Sequence, residues 1–201
     1  MRSPATEPHN GAMRVIAGTF RSRQLSAPRG ARTRPTSDRL RETLFNVLAP
    51  RISGARFADL YAGTGAVGIE ALSRGAEHVW FAEKAAPALA AIRANLDSLQ
   101  IRSGYTVEPR GTGALFDSFT RTAAALDVVF LDPPWEAEAE YTTTLNFLGS
   151  PRASSFLAQD ARIIAEHASR TPLPTRYGDL TQTRTLTQGD AALSFYSRSS
   201  E

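Results

Sequence analysis

Two short motifs hold the residues whose types and spacing could do chemistry. The first is Asp59-Leu60-Tyr61-Ala62-Gly63-Thr64-Gly65-Ala66-Val67-Gly68, in which Gly63, Gly65 and Gly68 keep the spacing G-x-G-x-x-G. Glycines at a strand-to-helix turn let a ligand approach the backbone, and the helix that follows offers unpaired amides. Glu83 lies 20 residues beyond Gly63, at the position where a carboxylate takes ribose hydroxyls. That spacing alone admits a nicotinamide cofactor. Asp59 favours another ligand, because a carboxylate at the mouth of the first strand repels a pyrophosphate and attracts a cation. S-adenosylmethionine, with its ammonium and sulfonium, is such a cation. The bland alternative is that Gly63 and Gly65 merely make a tight turn and Asp59 caps that turn.

The second motif is Asp132-Pro133-Pro134-Trp135, directly after the apolar run Val128-Val129-Phe130-Leu131. Proline lacks an amide donor and fixes φ, so the segment presents acceptors in a rigid arrangement. Asp132 and the Pro133 carbonyl can accept hydrogen bonds from an exocyclic amine and disperse the positive charge that develops when its nitrogen is alkylated. Trp135 offers a flat face to an extruded base. Alone, a Pro-Pro-aromatic triplet reads as an ordinary loop; after an apolar strand and a glycine loop it is far more specific.

The elements that must position these motifs follow from hydrophobic pattern. Short apolar runs predict strands at 57–61, 78–82, 105–108, 127–131 and 162–165, separated by helices at 66–74, 87–99 and 138–148. Alternation of strand and helix implies an α/β fold: a mostly parallel sheet with helices on both faces. The stretches 183–187 and 191–197 flank Gln188-Gly189-Asp190 and predict a hairpin, hence an antiparallel edge at the C-terminal end. Ahead of the sheet, 13–17 and 23–27 predict a small β-hairpin. A helix then starts near Ser37, with Leu40, Leu44, Val47 and Leu48 on one stripe.

The chain has 201 residues, 42% of them hydrophobic, enough for one domain and too few for a second large one. Its formal charge of +3 hides a split. Residues 1–56 carry 11 Arg against Glu7, Asp38 and Glu42, a balance of +8; residues 57–201 carry 12 basic side chains against 17 acidic, a balance of −5. Such asymmetry points to an anionic partner held by one end, with nucleic acid first among candidates. The absence of cysteine excludes disulfides, thiolate nucleophiles and Cys-ligated metal, and His9, His78 and His167 lack ligand spacing, so no metal is expected. No membrane span or signal segment is evident. The expectation is a cytoplasmic monomer: a disordered tail at 1–12, a basic extension at 13–55 and a catalytic domain at 56–201.

With both motifs in place, the chain resembles class I (Rossmann-like) methyltransferases that act on amino nitrogen and depend on S-adenosylmethionine. Met13-Arg14-Val15-Ile16-Ala17-Gly18, Arg21-Ser22-Arg23-Gln24-Leu25 and the block Arg34-Pro35-Thr36-Ser37-Asp38-Arg39-Leu40-Arg41-Glu42-Thr43-Leu44-Phe45-Asn46 narrow the resemblance to the RsmD family. The resemblance implies methylation of guanine N2 in the 16S RNA of the small ribosomal subunit. It assigns Asp59, Tyr61, Ala62, Gly63, Thr64 and Gly65 to the cofactor, with Glu83 on its ribose, and Asp132, Pro133, Pro134 and Trp135 to the guanine amine. Arg14, Arg21, Arg23, Arg34, Arg39 and Arg41 would grip RNA. In one respect the chain departs from the family. An Asp or Asn is expected after the third strand to contact the adenine amine, but the run is Arg110-Gly111-Thr112-Gly113-Ala114, leaving Gly111 and Thr112 to serve. Rival readings are an amino methyltransferase acting on DNA adenine or another RNA, a nicotinamide oxidoreductase, and a noncatalytic RNA-binding assembly factor.

Overall fold

The computed structural model describes residues 13–27, 37–122 and 125–198; the expected tail at 1–12 and Arg34 lie outside them. Parallel strands β1 (Arg56–Leu60), β2 (His78–Ala82), β3 (Tyr105–Glu108), β4 (Leu126–Leu131) and β5 (Leu157–Ala168) form most of one sheet. Antiparallel β8 (Ala191–Arg198), β7 (Leu180–Gln188) and β6 (Arg176–Tyr177) extend it, giving the order β3-β2-β1-β4-β5-β8-β7-β6. Strand order reverses where β1 meets β4, and open α/β sheets bind ligands outside the carboxyl ends of the strands at such a switch point. Registers there pair Leu60 with Ala82 and Leu131, and Leu131 with Ala165. The carboxyl ends of β1, β2 and β4 therefore finish level, while β5 runs three residues past Ala165.

Helices α1 (Asp38–Leu48), α2 (Ala66–Ser73), α3 (Ala86–Ser98), α4 (Thr112–Thr122) and α5 (Glu138–Leu148) cover the two faces. One face buries Leu40, Leu44 and Phe45 of α1 with Phe57, Phe81, Phe130 and Ile164 of the sheet. The other buries Phe116, Phe119, Tyr141, Leu145 and Phe156 against Leu60, Leu131 and Ile163. The central strands β1, β2, β4 and β5 feed both cores because successive side chains point to opposite faces.

Three expectations change. The helix α4 was not anticipated, because Gly111 and Gly113 read as turn; Leu115, Phe116 and Phe119 form its buried stripe, and their packing overrides the weak propensity of an exposed Gly113. Strand β5 spans 12 residues rather than four, and only its second half is continuously buried. The N-terminal hairpin is reduced to a single bridge, Arg14 to Gln24, flanked by hydrogen bonds from Val15 N to Arg23 O (2.9 Å) and Leu25 N to Met13 O (2.8 Å). Its shape is set by docking on the body of the protein.

That docking uses buried polar groups. Glu70 of α2 accepts the amides of Ile16 (2.7 Å) and Ala17 (3.0 Å), and Ser73 accepts that of Phe20 (3.0 Å) while donating to Ala17 O (2.6 Å). Asn95 of α3 accepts from Ser26 N (2.7 Å) and donates to Ser26 O and Thr64 O, each at 3.0 Å. Gly18, with φ of 82°, approaches so closely that a Cβ would meet the Ser73 carbonyl oxygen at 1.8 Å. The extension is thus fastened to the helix that begins at the glycine loop.

Candidate active site

Strand β1 ends and the chain turns sharply through Tyr61 (φ 62°), Gly63 (φ 55°) and Gly65 (φ 77°) into α2. Left-handed backbone is cheap for glycine and costly for tyrosine. The Tyr61 conformation is held by its hydroxyl, which hydrogen-bonds Glu140 (2.7 Å) and Thr144 (2.8 Å) on α5. Burial pushes that hydroxyl's pKa up to about 12, and the side chain faces α5. Ala62 takes part through its backbone, donating to Ala82 O and accepting from Gly65 N (2.7 Å). Thr64 is half-buried, its carbonyl held by Asn95. Gly68 is required by packing, since a Cβ would lie 2.3 Å from the Phe81 ring.

Asp59 corrects the electrostatic argument made from sequence. It is buried beneath the loop, where its carboxylate accepts the Gly68 amide at 2.8 Å. Burial raises its pKa to about 8, with the Glu83 charge adding to the rise. Asp59 therefore caps α2 from inside and presents little negative charge to the mouth. Glu83 stands at that mouth, half-buried, with one oxygen on the Gly63 amide (2.8 Å) and the other on the Lys84 and Ala85 amides (2.8 Å each). It ties the glycine loop to the start of α3.

Beyond β3, Gly111 has φ of 86°, and a Cβ there would sit 2.4 Å from Lys84 Cε and 2.7 Å from Cγ. The stem of Lys84, the chain's one lysine, covers the place where a side chain would project. Thr112 is buried at the start of α4 and interacts with the Tyr61 hydroxyl, so it supports the loop from below.

Asp132, Pro133, Pro134 and Trp135 lie at the carboxyl end of β4 beside the loop, and the Asp132 amide donates to Leu60 O (3.4 Å). Pro133 is buried, Pro134 is exposed, and Asp132 and Trp135 are half-buried. The Tyr141 hydroxyl of α5 lies 3.1 Å from the Pro133 carbonyl and 2.9 Å from that of Glu166, so its single proton is shared between two acceptors. The Pro133 oxygen keeps a lone pair for an incoming amine. Burial, then the neighbouring carboxylates Asp132 and Glu166, raise the Tyr141 pKa, keeping it a neutral donor. Sequence reasoning missed Tyr141, because a tyrosine on an amphipathic helix carries no signal of the strand end it will meet.

A scan against family models matches residues 13–197 to the family described as Conserved hypothetical protein 95. The Escherichia coli protein named Ribosomal RNA small subunit methyltransferase D is 33% identical over 192 residues, covering 96% of this chain and 93% of the relative. The chain belongs to the RsmD family. Another relative, YlbH of Bacillus subtilis, is 34% identical over 92% of this chain and 99% of its own. Among solved structures, yhhF from Escherichia coli superposes with a TM-score of 0.78 at 32% identity, covering 94% of this chain and 98% of that one. The fold is the class I methyltransferase fold, a mostly parallel sheet ending in an antiparallel hairpin.

In this RsmD-family chain the basic extension divides into two kinds of arginine. Arg14, Arg21, Arg23 and Arg39 are exposed. Arg14, Arg21 and Arg39 border a cleft of about 400 Å³ that Asp38 and Glu42 also line, and Arg23 donates to Ser98 O (2.9 Å). Arg41 is different: it is fully buried, with one guanidinium nitrogen donating to the Arg14 carbonyl and to Asp38 (2.8 Å). It holds the extension to α1 from within, so its assignment to the RNA surface is corrected. Spacing misled here because Arg41 adjoins Leu40 and shares the inward side of α1 with Leu44, Phe45 and Leu48. Among the described residues no group of His, Asp and Glu is placed to hold a metal ion, and no helix is long and apolar enough to cross a membrane.

Proposed function

We propose that this protein transfers a methyl group from S-adenosylmethionine to the exocyclic N2 of a guanine in small-subunit ribosomal RNA. The observation that carries the reading is the placement of Asp132-Pro133-Pro134-Trp135 beside the Gly63–Gly65 turn, across the β1–β4 switch point. The name of the Escherichia coli relative supports the choice of RNA.

The residues present suit the cofactor. A Cβ on Gly63 would meet nothing within 4 Å, so the backbone there is open to a ligand, and Glu83 stands beside it as a partly exposed acceptor. Gly63, Thr64 and Gly65 would hold the methionine end and Glu83 the ribose. At Gly111 the chain offers backbone and the Lys84 stem to the adenine edge in place of a carboxylate or amide.

When bound, S-adenosylmethionine supplies an electrophilic methyl on a sulfonium. Asp132 and the remaining lone pair of the Pro133 carbonyl accept hydrogens from the guanine amine and hold its nitrogen toward that methyl. As the N–C bond forms and the C–S bond breaks, positive charge grows on nitrogen and is met by these oxygens. The displaced proton would pass to the Asp132 carboxylate and from there to solvent. Alignment of two reactants supplies much of the rate in such a site. Trp135 provides a face for the base, and the exposed arginines of the extension hold phosphates in a salt-dependent, sequence-independent manner.

The test is incubation with labelled S-adenosylmethionine and unmethylated small subunits, beside protein-free RNA, followed by digestion to nucleosides and mass spectrometry. Label in N2-methylguanosine supports the reading; label in methyladenosine, or none in either RNA, rejects it.

A further inference from the structure

The RNA-guanine reading leaves open how the pocket tells guanine from the other bases that carry an amine. A cleft of about 160 Å³ lies beside the motif, below the roughly 300–1,000 Å³ of ordinary small-molecule sites and so of a size for a single base. Four separate parts of the chain meet around it: Leu40 of α1, Trp135 of the motif, Glu166 of β5, and Gln188, Gly189 and Asp190 at the β7–β8 turn; of the two carboxylates only Glu166 is on the strand beside the Asp132 motif. Thr43 of α1 donates to the Gln188 side chain at 3.3 Å, so two of these walls are joined.

Glu166 is 4% exposed, an unusual place for a carboxylate on a parallel strand. It lies two residues beyond Ile164, opposite Leu193, on the face of the sheet that α1 covers. Asp132 lies two residues beyond Phe130 on the same face. Leu131, the last residue of β4, pairs with Ala165 on a strand about 4.8 Å away, so Asp132, the first residue past the end of β4, leaves the sheet beside Glu166 of β5. Two carboxylate-bearing positions thus stand side by side next to Trp135.

This pairing has a chemical counterpart in only one base. The guanine amine N2 is flanked by a ring N1–H donor, whereas the adenine amine is flanked by N1 and the cytosine amine by N3, both acceptors. A carboxylate beside the amine site accepts from N1–H of guanine and repels the lone pair of the other two. A carboxylate has about four lone-pair sites, so it can accept from a base while also serving neighbours in the protein.

We propose that Glu166 is the residue that selects guanine, accepting its N1–H while Asp132 and Pro133 accept its N2 amine. This rests on the guanine-N2 reading above. The neighbouring turn at Gln188–Gly189 closes the cleft on the far side, and α1 closes it from the extension, so the specificity pocket is built only when the extension is docked.

The test uses the full protein with reconstituted small subunits whose RNA carries either guanine or 2-aminopurine at the methylated position. 2-Aminopurine keeps the amine but replaces N1–H with an acceptor and lacks the O6 carbonyl, so it is the change in preference on substituting Glu166 that isolates the N1 contact. Wild type should favour guanine by about 10- to 100-fold in kcat/KM, the discrimination expected of a well-placed base contact. Glu166→Gln, whose amide can donate to the altered N1, should lower guanine methylation and raise that of 2-aminopurine, so that the preference falls at least about tenfold. Calorimetric binding of S-adenosylhomocysteine, unchanged in the variant, shows that it is folded. Equal use of both bases by wild type overturns the proposal without any variant, as does an equal loss on both bases in Glu166→Gln. A wild type that methylates no guanine at all is failure of the underlying reading instead.

Discussion

The two faces of the sheet are built on different principles. On the α4–α5 side the core is rich in aromatic rings: Phe116, Phe147 and Phe156 stack with centroids 4.6–6.2 Å apart, and Phe119 meets Trp80 edge-on at 5.3 Å. On the α1 side an equally apolar core is laced with Glu70, Ser73, Asn95 and Arg41, each buried and each bound to backbone of the extension. Apolar packing is tolerant of direction, whereas charge-assisted hydrogen bonds fix one register. The difference teaches where accuracy is needed. The aromatic side is mostly scaffold, its hydrogen bonds to the site confined to Tyr61 and Tyr141 at the strand ends; the polar-laced side fixes the extension relative to the glycine loop, Trp135 and Glu166.

The comparison can be broken or sharpened by experiment. The largest effect is expected at the reaction itself, where Asp132→Ala should lower methylation by about 10²- to 10³-fold while calorimetry finds cofactor binding unchanged; full activity would remove the motif from the chemistry. The two faces are then contrasted directly. Glu70→Ala strands two amides and the Arg74 guanidinium, which donates to Glu70 at 2.7 Å, and should cost about 3–5 kcal/mol in chemical denaturation. Phe156→Ala should cost a similar 3–5 kcal/mol by leaving a cavity on the aromatic side. At a temperature where both remain folded, only Glu70→Ala should lose RNA affinity; equal loss in both would erase the distinction.

A smaller effect of the same kind is expected from Asn95→Ala, about 1–3 kcal/mol, with the segment near Ser26 becoming sensitive to protease. Asp59 gives a pH signature. Its carboxyl holds a proton to about pH 8 in the folded protein but to about pH 3.8 when unfolded, so between these values the folded state binds more protons and stability falls as pH rises. Asp59→Asn should flatten that slope in denaturation curves taken across this range. The mildest effect belongs to the surface: Arg39→Ala should reduce the slope of log affinity for RNA against log salt by about one, without altering which base is methylated.

Most of the scaffold was legible because strand and helix periods are local properties. His78–Ala82, Tyr105–Glu108 and Glu138–Leu148 fall where alternation and stop signals put them. The missing helix α4 shows the limit: Gly111 and Gly113 are strong turn signals, and only the sheet against which Phe116 and Phe119 pack makes the segment a helix. The site was legible as two motifs, since each is contiguous. Its supports were not. Tyr141 is eight residues from Pro133, but Glu70 and Asn95 are more than 50 residues from the backbone of the extension that they hold.

The sequence by itself determined most of the order of strands and helices, the glycine turn, the acceptor-rich Asp132–Trp135 segment and the uneven charge of the two ends, all of which depend on neighbours along the chain. The tertiary structure decided what each charge does. Arg41 and Asp59 look like surface and ligand groups in the sequence, yet folding buries both. Arg41 becomes a clasp and Asp59 a protonatable cap, because the cost of removing a charge from water depends on what surrounds it in space. For the same reason only the fold could bring Leu40, Trp135, Glu166 and Gln188 around one cleft.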